Sequence, residues 1–486
     1  VRNTVFISDL DDDENALVNR LLDELAARLP RNLLRAGYYD GKNAVRQLTQ
    51  ILPGQYYRLG IVLGWSAKAV DILARRCNLE GFTWDDGDLD SVGLSVLLED
   101  NAWASQSNNV ITSSLTYGPA FLINTVGIDD EPESLIHVKD ALSATGDWNG
   151  RRHRLDNLLS VTDWDSDGRP SGLVLYLDGE TITAVRDSSG WQVDRTEHPW
   201  GVPAEMLPYR PSTLRPFGSS RISRPVISMH DAALRTVIRL EGHEDAYSWP
   251  DMMLLGADET VFKNPDGSPR GVWQTMMGRI KGIPDDDDAA NPRADVKQIM
   301  PASPQPHLDT LKQQAQLFSG ETSIPLTSLG VSDMSNPTSA DSYIASREDL
   351  ISEAEGATDD WSLPMRRSIA RGLAILNGAN EIPDAFKTIQ AKWRSPVHLS
   401  RAAQADAGMK QLSAVPWLAE TEVGLELLGL TEQQRRRALS EKRRLAGSGV
   451  LEKLTAAAAA RGGQPAPGSA AAAPADESVD EQPVTA

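Results

Sequence analysis

The apolar positions of this chain change period several times, and each change marks a new element. Leu17, Leu21, Leu22, Leu25 and Leu29 recur at helical spacing behind an acidic run of Asp9, Asp11, Asp12, Asp13 and Glu14. Carboxylates are favoured at a helix N-terminus, where backbone N–H groups lack partners, so the pattern predicts a helix starting near that run. Pro30 has no N–H to donate and is expected to end or bend it. RAGYYDGKNAVRQL then reads as an aromatic-rich turn and a short helical pattern. Ala69, Val70, Ile72 and Leu73 predict a helix over 66–77, and Leu94, Leu97, Leu98 and Trp103 another over 89–107.

From about Ile111 the pattern shortens. ITSSLTYGPAFLINTVG predicts strand, turn, strand. LLSVTDWDSDGRPSGLVLYLDGETITAVRDSSGWQVD predicts a meander, with Val174/Tyr176 and Ile182/Ala184 alternating against polar neighbours and Asp-Gly or Ser-Gly pairs at the turns. The Pro-rich stretch HPWGVPAEMLPYRPS predicts an extended loop leaving that sheet. Residues 224–249 are helical in pattern, Pro225 being tolerated in a first turn and Trp249-Pro250 ending the run. Residues 251–305 read as an insertion. Helical pattern returns in HLDTLKQQAQLF, is followed by the loop SGETSIPLTSLGVSDMSNPTS, and is longest over 339–377, where Gly356 and Pro364 predict a bend or split. Residues 381–447 predict short helices in DAFKTIQAKWR, SRAAQADAGMKQL, LAETEVGLELLG and TEQQRRRALSEKRRLAG. Beyond Thr455 the Ala/Pro/Gly sequence is of low complexity and predicts disorder.

Length and charge narrow the possibilities. A chain of 486 residues predicts two to four structural units rather than one core. One cysteine, Cys77, excludes an intramolecular disulfide framework and multi-thiolate metal sites. No run approaches 18 apolar residues, so no membrane span is expected. The N-terminal run VRNTVFISDLDDDENA has neither the charge nor the apolar stretch of a signal peptide. A formal charge of -20 argues against nonspecific coating of duplex DNA, which needs concentrated Lys and Arg. It leaves open a surface past which DNA slides.

The residues that could carry chemistry read mostly as structure. DWDSDG, with Asp163, Asp165, Asp167 and Gly168, matches the first half of a calcium loop, but the twelfth position is Val174 rather than Glu and the flanks are strand-like. It is expected to be a surface turn. GYYDGKN has three residues between its glycines and Asn43 where a magnesium-binding hydroxyl should stand, so no phosphate loop is expected. None of the seven histidines pairs at HExxH spacing; His230 and His243 are expected on one helix in packing roles. Cys77 reads as buried and inert. The run QQRRRALSEKRR, together with Lys453, is the most basic part of the chain; as a helix it could contact nucleic acid, but with Glu432 and Glu441 intermixed it reads rather as a solvated face. No catalytic residue, cofactor site or metal site is expected.

The order of segments is the informative feature. YYDGKNAVRQL, YYRLG at 56–60, the Trp-punctuated sheet ending in HPWGVPAEMLPYRP, the helix beginning near Ile227 and GETSIPLTSLGVSDMSNPTSADSYIASREDLISEAE occur together and in order. In this the chain, from about Arg35 to Leu445, resembles the portal proteins of tailed bacteriophages, the SPP1 gp6-like group. The resemblance implies an α+β portal fold: a wing over 1–225 (N-terminal helices plus β meander), a stem helix over 226–250, and an inserted clip over 251–305. It further implies a second stem helix over 306–319, a tunnel loop over 320–338, a long wing helix over 339–380, a helical crown over 381–450 and a disordered tail over 451–486. A portal of this kind forms a ring, usually of twelve subunits, at one capsid vertex. It passes double-stranded viral DNA during packaging and ejection, and is found in the host cytoplasm during assembly. Its implied partners are the large terminase subunit, a head–tail connector, the major capsid protein and a scaffold, with no membrane.

By the same resemblance, the candidate DNA-channel residues are Ser323, Pro325, Leu326, Thr327, Ser328, Leu329, Val331, Asp333 and Met334. The candidate docking surface of the clip is Asp285, Asp286, Asp287 and Asp288. A hairpin of helices interrupted by a long insertion is odd in a monomer but natural where helices line a ring, and closed cyclic symmetry needs head-to-tail surfaces. Acidic walls would repel phosphates and keep DNA from sticking. The alternatives are another oligomeric virion component, such as a capsid or connector subunit, which should lack the stem-and-loop order, and a metal-dependent nuclease, which would need acids clustered on rigid strand ends.

Overall fold

The computed structural model describes residues 4–42, 60–247, 251–255, 264, 266–268, 280–283, 295–299, 302–331, 347–397, 401–431 and 433–445. The chain divides into two compact units, Val1–Pro396 and Val397–Ala486.

The first unit is built in layers, and its order follows from which faces are apolar. Helix α1 (Asp12–Tyr39) opens on the acidic run: the Asp11 side chain accepts from the Glu14 N–H at 2.7 Å while the Glu14 carboxylate accepts from the Asp11 N–H at 3.0 Å. This reciprocal cap satisfies two otherwise unpaired donors. The helix does not end at Pro30. It runs through it, because side chains beyond the proline are fastened elsewhere: Asn32 donates to Ala141 O, Arg35 to Tyr117 O and Tyr38 to Asp231. Loss of one backbone bond is outweighed by these three.

Val18, Leu21, Leu22 and Leu25 of α1 pack on a five-stranded antiparallel meander, β4 (Ala144–Asn149), β5 (Arg154–Trp164), β6 (Pro170–Tyr176), β7 (Glu180–Asp187) and β8 (Gly190–Glu197). Leu173 and Leu175 of β6 face that helix, whereas Val174 and Tyr176 face the opposite way. Strand β6 is therefore apolar on both faces, which the period of two requires of a strand between two layers. On the far side lies a second sheet, in the order β3 (Ser134–Asp140), β2 (Pro119–Val126), β9 (Ala204–Pro208). Phe121, Ile123, Ala204 and Met206 meet the meander, while Ala120, Leu122, Ile136 and Leu207 turn to the main helical core.

That core contains α2 (Trp65–Ala74), α3 (Leu94–Asp100), α4 (Trp103–Tyr117) and the long helix over Glu348–Leu376, together with a two-stranded sheet of β1 (Leu79–Trp84) and β13 (Ile389–Trp393). Four sequence expectations change here. Residues 111–117 are the end of α4, not a strand, because Ile111, Ser114 and Leu115 share its buried face and Ser114 Oγ bonds Leu207 O at 2.8 Å. The helix expected over 89–107 is broken by Ala102 in the left-handed conformation, φ 46°. AEMLP is a wholly buried strand pairing with β2 rather than a loop. DAFKTIQAKW is a 3₁₀ turn and strand β13, not a helix, since its partner β1 supplies the ladder.

The second unit contains helices over Arg401–Ala414, Glu422–Leu427 and 433–445. Arg435 is buried and paired with Glu426 at 2.9 Å, while the other basic side chains of its helix are exposed, the solvated face expected. Among the described residues no helix is long and apolar enough to cross a membrane.

Candidate functional site

The most distinctive construction is a helical hairpin that leaves the layered body, carries a small sheet and returns. Its outgoing arm, α5 (Arg224–Tyr247), has 24 residues and spans about 36 Å. Its returning arm, α6 (Gln305–Thr322), has 18 residues and spans about 27 Å. Val226 and Ala233 of the first pack with Ala315 and Phe318 of the second, against Trp65 of α2. The inserted segment contains β10 (Asp251–Leu255), paired parallel with β11 (Ile280–Ile283) and antiparallel with β12 (Asp295–Ile299). At the distal end of the arms His243 Nε2 lies 3.0 Å from Ala302 O, and its ring is edge-on to His307 at 5.1 Å.

Where the hairpin enters the body, one guanidinium gathers four elements. Arg221 has a side chain only 4% exposed; its Nη1 lies 2.5 Å from Glu353 Oε1 and its Nη2 donates to Thr322 O at 2.6 Å. Its Nε donates to Ala69 O, and Nη1 also donates to Tyr209 OH at 3.1 Å. Tyr209 in turn donates to Glu353, and burial pushes its phenol up. Arginine suits this place because its planar fork holds several acceptors at once. The node joins the end of α6, the lead-in to α5, α2, and helix α7 (Glu348–Leu376), which carries Glu353.

Helix α7 runs unbroken through both Gly356 and Pro364. Trp361, fully buried, donates from Nε1 to Pro208 O at 2.8 Å. Arg371 pairs with Glu205 at 2.7 Å and donates to Asn124, whose amide donates to Ser368 O. These bonds fix β2 and β9 to α7 and compensate for what the proline removes. Beside the hairpin, His230 Nδ1 lies 2.8 Å from Ser66 Oγ, with Tyr38 edge-on at 5.3 Å. Burial lowers the pKa of His230, opposed in part by Asp231. His230 and His243 share α5, as their spacing predicts.

The structure describes seven of the nine candidate channel residues. Ser323 closes α6 in the left-handed conformation, Pro325 precedes a 3₁₀ turn over Leu326–Leu329, and Lys68 Nζ donates to Ser328 O at 2.7 Å. Leu329 is buried; Leu326 and Val331 lean on the same cluster as Trp65 and Phe318. Thr327 is exposed. This part of the segment is a fastened turn, its leucines spent on packing. Asp333, Met334 and Asp285 to Asp288 lie outside the described residues. Sequence reasoning missed Arg221, Glu353 and Tyr209. No local signal marks them, because their meaning lies in bonds between residues up to 152 positions apart.

Among the described residues no set of side chains assembles a reaction centre. Asp165 Oδ1 accepts from its own turn, from Asp167 N at 2.9 Å and Arg169 N at 2.8 Å. Cys77 is fully buried, and burial pushes its thiol up to about 12. No group of three or more His, Cys, Asp or Glu able to hold a metal occurs among the described residues.

Two curated relatives are similar to this chain over most of their length. The portal protein of Mycobacterium phage L5 is 22% identical over 441 residues, covering 88% of this chain and 89% of the relative. The portal protein of Mycobacterium phage D29 is 22% identical over 443 residues with the same coverage. A solved structure, the neck of an empty gene transfer agent particle, is 16% identical, covers 75% of this chain and 90% of its own, and superposes with a TM-score of 0.41. The family model for phage portal protein, SPP1 Gp6-like, matches residues 18–443, and the chain therefore belongs to that family, the structural proteins of the capsid's portal vertex.

Proposed function

We propose that the chain closes into a ring of about twelve copies, with the α5–α6 hairpins as its stem, and that double-stranded DNA passes through the ring. The observation that carries this reading is the hairpin itself: two long helices fastened to the body at their foot and bearing a separate sheet at the far end. In a monomer such a projection gains nothing. In a ring, hairpins set side by side make a wall.

The exposed charges of the hairpin support a conduit rather than a clamp. Glu241, Glu244, Asp245, Asp309 and Glu321 outnumber Arg224 and Arg239. A surface of that balance displaces few of the counterions condensed on DNA and so gives little grip. The inserted sheet over β10–β12 would be the clip, docking first the large terminase subunit and then a head–tail connector, with the tract 285–288 on its docking surface. The turn over 323–331 would hold the base of the tunnel loop firmly while the residues after it meet DNA. The body up to residue 225 and the long helix would form the wing, and the second unit the crown. Contacts of the body with the major capsid protein and a scaffold belong to the same reading.

Native mass spectrometry with single-particle imaging tests it. Twelve copies of 52.9 kDa give a particle of about 635 kDa with an axial hole. A compact dimer that never assembles, at any salt or concentration and with or without scaffold, would overturn the reading.

A further inference from the structure

In a chain of charge -20, two clefts gather cationic side chains; one of them holds its own carboxylate, Glu205, and the other has none in its lining. The latter encloses about 620 Å³ and is lined by Arg28, Arg31, Arg35, Arg215 and Arg224, with Phe217 among them. Arg28 stacks over the Phe217 ring at 4.7 Å and pairs with Glu24. Arg35 donates to Asn32 and to Tyr117 O but meets no carboxylate among the described residues. Arg31, Arg215 and Arg224 are exposed and have no ion-pair partner among the described residues. Crowding of like charge is costly, and burial together with Arg31 lowers the pKa of Arg35 to about 10. A cleft of this kind is complete only with an anionic occupant.

The same sheet offers one. Pro119 and Phe121 of β2 line the cleft, as does Ala141 just after β3. At the other end of that ladder the loop between β2 and β3 exposes Asp129, Asp130, Glu131 and Glu133 around Ile128, itself 72% exposed. The loop is a defined shape: Gly127 N donates to Glu133 O at 3.2 Å, and Glu131 Oε2 accepts from Ile128 N at 3.0 Å. A Cβ on Gly127 would stand 1.9 Å from Pro132 O, so only glycine allows this return. The eight residues of β2 and the two that follow put Ile128 about 30 Å from Pro119, so a chain cannot fill its own cleft.

We propose that the acidic tip over 128–133 of one copy seats in the arginine cleft of the next copy, its carboxylates on the guanidiniums and Ile128 against the Phe217 side. This rests on the ring reading and says which surfaces close it. Patch and socket at opposite ends of one rigid ladder make a head-to-tail contact, the kind a ring requires. Copies that each carry -20 repel at long range, so closure needs a local cationic surface to face a local anionic one.

The test uses full-length protein and native mass spectrometry over a concentration series. Arg31→Glu/Arg215→Glu and, separately, Asp130→Lys/Glu133→Lys are expected to raise the midpoint concentration of assembly about tenfold or more. Combining the two swaps restores assembly. Circular dichroism checks each fold, and Arg31→Gln/Arg215→Gln, with a smaller shift in the same direction, serves if the reversal misfolds. Folded variants that assemble like the parent overturn the proposal and leave the ring standing, as does failure of the combined swap to recover. Unchanged assembly with weakened retention of duplex DNA would make the cleft a DNA contact instead. A parent chain that forms no ring overturns the ring reading itself.

Discussion

Replacing Arg221 by methionine keeps most of the apolar volume at the foot of the hairpin and removes every donor of the node. Glu353 then loses the guanidinium 2.5 Å away, and the carbonyls of Ala69 and Thr322 lose theirs. Breaking a buried pair from one side typically costs about 3–5 kcal/mol, because the surviving charge stays buried. Two features place this case at the lower end. The Glu353 side chain is 15% exposed, and Arg210 remains 3.7 Å from its Oε1. A loss of about 3 kcal/mol is still a large part of a typical domain's stability of about 5–15 kcal/mol. Glu353→Gln keeps an acceptor in place but strands the more deeply buried Arg221, so it should cost a similar amount, about 3 kcal/mol. The double variant should cost less than the two together by at least about 1 kcal/mol, since the second change removes the charge that the first stranded. Urea unfolding gives the free energies, and hydrogen exchange gives the location: amides at the end of α6 and in α2 should open sooner, while those of the meander should not. A cost under about 1 kcal/mol, with exchange at the hairpin foot unaltered, would refute the node.

Two further predictions concern titration and reactivity. Burial first, then Lys139, lowers the pKa of His137 from 6.5 to about 4, so between those values the unfolded chain takes up a proton that the folded chain refuses. Stability should therefore fall as pH drops from about 6.5 to about 4; His198 and His230, lowered in the same direction by burial, add to the slope. His137→Gln should flatten that slope in urea titrations at stepped pH, and an unchanged slope would show that the burial is not felt. The Cys77 thiol, pushed up to about 12, should resist a thiol reagent at pH 8 in the folded chain and react once urea has unfolded it. Rapid labelling of the folded chain would contradict the packing around α2.

What could be read along the chain was what is decided locally. The capping box at Asp11 and Glu14 lies within one turn, and the meander shows itself through adjacent hairpins whose turns are short and Gly-bearing. The alternation expected in β6 describes only one of its faces: Val174 and Tyr176 alternate with Leu173 and Leu175 rather than with polar residues, because a layer lies on either side. The misread elements share a cause. ITSSLTY is rich in β-branched residues yet helical, because one face meets the core and Ser114 finds Leu207 O. AEMLP sits among prolines and has the local composition of a loop. It is a strand because β2 lies waiting to pair with it, with Phe121 opposite Met206. Local propensity amounts to a few tenths of a kcal/mol per residue, and a ladder or a buried face overrides it.

By itself, the sequence determined the acidic balance, the lone cysteine, the order of helix, insertion, helix and long helix, and with that order the family. Only the tertiary structure decided that β1 pairs with β13, where Glu80 and Arg394 are 314 residues apart and 3.2 Å from each other. Only there do Arg221, Glu353 and Tyr209 become one node, and five scattered arginines one cleft. The physical reason is one of distance. Caps, turns and amphipathic faces form between residues a few positions apart and leave a period in the sequence, whereas pairing and charge clustering join residues whose separation carries no period to read.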